Sequence, residues 1–98
     1  MDKVHFLQFP NHGKTIGYKV EEVGKELRVY AAVSFTSPHD QFNRRIGRSI
    51  VEGRLNCNRQ QKHTHTFMVN GEMPTNFEEW RALEDQVIET VNGTSREQ

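Results

Sequence analysis

The sequence has a single cysteine, Cys57, so an internal disulfide is excluded and a reducing compartment is expected. Proline occurs only three times, and no apolar run approaches the roughly eighteen residues that a membrane-spanning helix needs. The start, Met-Asp-Lys-Val-His-Phe, lacks the charged and long apolar regions of a signal peptide, so a cytoplasmic protein with no membrane partner is expected. Formal net charge is zero, which removes any global electrostatic pull towards nucleic acid or membrane. There is no phosphate-cradling glycine loop, no Gly-x-Ser-x-Gly and no paired-carboxylate motif. Hydrophobic residues make up only 34% of the 98, so the core has to be lean. Nine per cent aromatics and regular apolar periodicity nevertheless exclude a disordered chain.

What is present is two kinds of period. Val4 to Phe9 and Lys14 to Glu21 read as strands joined across Pro10-Asn11-His12-Gly13. In the second of them Ile16, Tyr18 and Val20 alternate with Thr15, Gly17 and Lys19. Leu27 to Thr36 alternates most clearly, with Leu27, Val29, Ala31, Val33 and Phe35 on one face. Lys62 to Val69 reads as a fourth strand carrying His63, His65, Phe67 and Val69 on one side. Asn70-Gly71, followed by Met73-Pro74, reads as a loop rather than a hairpin turn. Thr75 and Glu78 form an expected capping box before a helix with Trp80, Leu83, Val87 and Val91 on its apolar stripe.

Between the third and fourth strands lies Ser37 to Leu55, read as a helix capped by Ser37-Pro38 and ended by Gly53. Phe42, Ile46, Ser49, Ile50 and Gly53 share one face, expected to cover the Leu27–Phe35 face of the sheet. Arg44 and Arg48 then lie opposite, with Arg45 and Glu52 beside them. Gly47 inside a helix costs about 1 kcal/mol against alanine, which is explained if another backbone, or a ligand, approaches the helix there. The expected fold is a small α+β domain, β-β-β-α-β-α, with both helices on one face of an antiparallel sheet. It occupies residues 1–93, with 94–98 a frayed tail.

Charge is unevenly distributed. Gln41 to His65 holds six basic residues and one acid, whereas Glu72 to Glu89 holds six acids and one base. Guanidinium groups one helical turn apart suit phosphate oxygens, since each is a planar fork of donors. Arg44, Arg45, Arg48 and Arg54 are therefore the expected phosphate-binding set, with Arg59, Lys62, His63 and His65 as secondary members. A solvated surface face, with Glu52 neutralising Arg48, is the competing reading. Cys57, His63 and His65, with His12 or His39, have metal-binding chemistry, but their spacing fits no metal signature, and no metal or other cofactor is expected. His63-Thr64-His65-Thr66 resembles one half of the two-histidine phosphoesterase motif, whose second half is missing here.

The pattern Asp-x-Phe-x-Arg-x-x-Gly-Arg-x-Ile-x-x-Gly-Arg-Leu, Asp40 to Leu55, resembles small uncharacterised proteins of tailed bacteriophages and prophages. The resemblance spans about a sixth of the chain and carries no activity; it implies a bacterial host cytoplasm and an accessory or anti-defence role. The expected function is non-catalytic binding of a phosphate-bearing ligand, nucleic acid or nucleotide, through the arginine helix. The alternative is inhibition of a host or defence protein through the charged helices, and a small phosphoesterase using His63 and His65 is weaker still.

Overall fold

The computed structural model describes residues 3–36, 40–56 and 64–92. Strands β1 (His5–Phe9), β2 (Lys14–Val23), β3 (Glu26–Phe35) and β4 (Thr64–Asn70) form one antiparallel sheet in that spatial order. Helix α1 (Arg44–Leu55) lies between β3 and β4 in sequence, and α2 (Phe77–Val91) follows β4. The α+β class and the β-β-β-α-β-α order are as expected from the sequence. A short 3-10 turn, Pro10–His12, leads into Gly13, whose φ of 58° lets the chain fold back into β2. Gly24, at φ 64°, does the same in the two-residue Gly24-Lys25 loop between β2 and β3.

Alternation assigns the two faces of the sheet. Ile16 pairs with Val33 and Tyr18 with Ala31, so these side chains share one face. Together with Val29 they form the main core against Leu83, Val87 and Val91 of α2. Phe67 and Val69 of β4, and Leu7 and Phe9 of β1, close its margins. The opposite face is built from small residues: Thr15, Gly17, Ala32 and Ser34 are all buried. Helix α1 lies on that face. The two helices therefore cover opposite sides of the sheet, which corrects the expectation that both pack on one face. The Leu27–Phe35 face belongs to α2, not to α1.

Helix α1 is also turned. Its buried residues are Gly47 and Val51, with Arg54 and Leu55 half-buried. Ile46 and Ile50 are 57% and 39% exposed, and Ser49 is exposed. The contact face is thus displaced by about one residue step, about 100°, from the apolar stripe. The reason is steric. A Cβ on Gly47 would collide with the Thr15 hydroxyl and sit 3.0 Å from its Cβ. One on Gly17 would come within 2.7 Å of a Val51 methyl. Small residues on both sides let helix and sheet approach in a way that isoleucines would prevent. Ile46 and Ile50 instead line a cleft of about 380 Å³ with Phe35, Thr36 and Asp40.

The helix ends differ from the sequence expectation as well. Helix α1 starts at Arg44, where the Asn43 side chain accepts a bond from the Ile46 amide at 3.1 Å. Ser37, Pro38 and His39, the expected cap and first turn, lie outside the described residues. Gly53 does not end the helix, which continues through Leu55. In α2 the cap is Asn76, not Thr75: its side chain accepts from the Glu79 amide at 2.9 Å. Glu79, not Glu78, reaches back to the Thr75 amide at 3.2 Å and hydroxyl at 2.8 Å. The capping device is present, one residue later. Asn70 is the last residue of β4, paired with Glu26, and from Gly71 the chain runs as a loop to α2 with no hairpin return, as expected.

The close approach predicts opposite effects for two glycines in one helix. Gly53 has open space around a new Cβ, so Gly53→Ala should stabilise the fold by up to about 1 kcal/mol through helix propensity. Gly47→Ala gains the same propensity but must displace buried Thr15, an overpacking cost of about 1–3 kcal/mol, and should lower stability. Chemical denaturation of the two variants measures both. Equal effects of the same sign would refute the seating of α1 on Thr15.

Candidate functional site

Turning α1 inward at Gly47 decides where its arginines go. Arg44 and Arg48 flank the buried strip on the side of edge strand β1. There Phe6 pairs with Gly17 and Gln8 with Thr15, so Phe6 and Gln8 face the same way as the seat of the helix. The Arg44 guanidinium donates to Gln8 Oε1 at 3.0 Å, while Gln8 Nε2 donates to the Arg44 carbonyl, also at 3.0 Å. The Arg48 guanidinium carbon stands 5.8 Å from the centre of the Phe6 ring, a cation–π contact. Two guanidiniums one turn apart are thereby aligned along a seam between α1 and β1. Both are exposed.

No carboxylate among the described residues lies within ion-pair distance of Arg44, Arg45 or Arg48; the Glu52–Arg48 pair expected from their spacing is not formed. Arg45 is exposed but points away from the seam, about 100° around the helix from Arg44. Arg54 does not lie in the seam. Its guanidinium folds inward and donates to the Val33 carbonyl, one residue past the last described β3–β4 pair. Burial there lowers its pKa from the ordinary guanidinium value. The four arginines thus divide into a seam pair, one solvent-facing neighbour and one structural residue.

Of the secondary residues only His65 is described, and it does not join them. Arg59, Lys62 and His63 lie outside the described residues, as does Cys57. His65 stands on the α2 face of the sheet, between the paths of Phe67 and Ala31, and is half-buried. Desolvation lowers its pKa. It is separated from the arginine seam by the sheet itself. Among the described residues no group of three or more His, Cys, Asp or Glu side chains is placed to hold a metal ion. No helix among the described residues is long and apolar enough to cross a membrane.

A second cluster escaped the sequence reading. On the α2 side of β1, the His5 ring stacks on Tyr18 at 5.0 Å and meets Trp80 at 4.7 Å. The fully buried Tyr18 donates its hydroxyl hydrogen to Glu84 Oε2 at 2.5 Å. Burial, followed by this bond to a carboxylate, pushes the phenol well above its usual range. The signal was available: Phe77, Trp80, Arg81 and Glu84 recur at i, i+3, i+4 and i+7, one stripe of α2. Of these four residues Trp80 is the one the sequence places on the core stripe, and the structure leaves it half-buried at the edge of that core.

His5 gives a pH dependence. Its pKa is lowered, first by desolvation and then by Lys3, with Glu84 opposing. The unfolded chain therefore binds the proton more readily, so stability is complete above the ordinary imidazole value of about 6.5 and falls as pH drops towards the lower folded value. Melting temperatures between about pH 7.5 and pH 5 should decline, and His5→Phe, which keeps a stacking ring, should flatten the decline. His65, shifted the same way, accounts for a residual slope. Identical profiles for wild type and His5→Phe would contradict the assignment.

No family model, no curated protein and no solved structure matches this chain, so the functional reading rests on this geometry.

Proposed function

We propose that the protein is a non-catalytic binding module that engages a phosphate-bearing ligand, nucleic acid or nucleotide, along the α1–β1 seam. One observation carries this reading: Arg44 and Arg48 are oriented by Gln8 and Phe6, yet neither meets a carboxylate among the described residues. A guanidinium held in place by a neutral partner keeps its charge and most of its five donors available to phosphate. Less ordering entropy is then lost on binding than for a free surface arginine. Arg45 extends the positive field on the solvent side. Arg54 stands outside this binding set because its guanidinium is turned under the helix, half-buried, to the Val33 carbonyl.

The test is fluorescence anisotropy with a labelled single-stranded oligonucleotide across a salt series. Each phosphate contact contributes a slope of about −0.7 in log affinity against log salt for single strands. Arg44→Ala with Arg48→Ala should weaken binding and flatten the slope by about 1.4, with fold stability changed by no more than about 1 kcal/mol. Arg54→Ala should do the reverse: the slope stays, while stability falls by about 1–3 kcal/mol because a backbone carbonyl loses its donor. Binding with no salt dependence, or unchanged in the double variant, would reject the seam and favour a protein partner instead.

A further inference from the structure

The cleft over His5 stands across β1 from the arginine seam and is built from different chemistry. It encloses about 270 Å³ and is lined by His5, Phe77, Trp80, Arg81 and Glu84. Three of these five are rings. Phe77 is 75% exposed at the rim, a position where a large apolar side chain gains nothing from the fold. Trp80 and His5 form the inner wall, already in contact with each other.

The polar end of the cleft is more selective. Glu84 has one oxygen, Oε2, occupied by the Tyr18 hydroxyl. Its other oxygen, Oε1, accepts no hydrogen bond among the described residues. A carboxylate fixed in this way can only accept, so the cleft favours a planar ligand with an N–H donor on its edge and discriminates against a keto oxygen at the same place. Arg81, on the same stripe and also lining the cleft, places a cation beside it. An isolated organic cation is disfavoured by that guanidinium.

We propose that this cleft binds one amino-bearing nucleobase, cytosine or adenine, stacked on Phe77 and Trp80 with its exocyclic amine donating to Glu84. Stacking contributes without regard to sequence, and the carboxylate supplies the preference. The proposal stands apart from the phosphate seam, because a free nucleoside carries no phosphate and reports on this cleft alone.

Trp80 is the only tryptophan of the chain, so its fluorescence reports directly on the cleft. Titrating the full chain with cytidine should give saturable quenching near ~1 mM, in keeping with a ligand of this size. Uridine, which differs by a keto oxygen in place of the amine, should bind about tenfold more weakly. Phe77→Ala, at an exposed position, should weaken cytidine at least about fivefold. Glu84→Gln still accepts from Tyr18 but offers both a donor and an acceptor, so the cytidine preference should be lost. Circular dichroism of both variants verifies that they are folded. Absence of saturable quenching by cytidine and adenosine overturns the proposal, as does equal binding of cytidine and uridine by the wild type. Quenching by acetylated trimethyllysine but not by cytidine overturns it in favour of a cation site.

Discussion

The contact between Gly47 of α1 and Thr15 of β2 controls the arrangement of everything on that side of the sheet. One turn further along, Val51 lies against Gly17. Neither contact tolerates an added methyl group, so helix and sheet meet at a separation set by two glycines. That separation fixes the rotation of α1 about its axis. With Gly47 and Val51 inward, Arg44 and Arg48 fall beside β1, Arg54 turns under the helix to Val33, and Ile46 and Ile50 are left on the outer flank. The second core is consequently thin, with Val51 its only fully buried large residue from α1.

Most of the sheet was legible because period-two alternation is written in residue type. Ile16, Tyr18, Val29 and Val33 are apolar where Thr15, Gly17 and Ser34 are small or polar, and the structure places each on the face its alternation implies. The rotation of α1 was not legible from apolar residues alone. A hydrophobic stripe identifies the buried side only when the opposing surface has room for it, and Thr15, Gly17, Ala32 and Ser34 offer none to an isoleucine. The relevant signals were the glycine in mid-helix and the row of small residues on the sheet. Gly47 does mark a close approach, but what approaches is the Thr15 side chain and not a backbone or a ligand. The helix caps slipped for a related reason: Asn43 and Asn76 compete with Ser37 and Thr75 by the same chemistry, and only the position of the first turn selects between them.

Strand β1 connects the two candidate surfaces. Phe6 and Gln8 orient guanidiniums on one side, while His5 stacks with Trp80 and Tyr18 on the other. Alternation along a single edge strand thus separates a phosphate-suited seam from an aromatic cleft with a fixed acceptor. The residues that bear this are polar or aromatic and lie far apart in sequence, at positions 5–8, 44–48 and 77–84. Only pairing of β1 with β2 and the packing of one helix on each face bring them to the same edge.

The seating of α1 is the claim on which the placement of the arginines depends, and nuclear Overhauser contacts test it without altering the protein. With α1 seated as described, cross-peaks are expected from the Val51 methyl groups to the α protons of Gly17, and from the Thr15 side chain to the α protons of Gly47. Cross-peaks from the methyl groups of Ile46 and Ile50 to Gly17, with none from Val51, would place the apolar stripe against the sheet and contradict it.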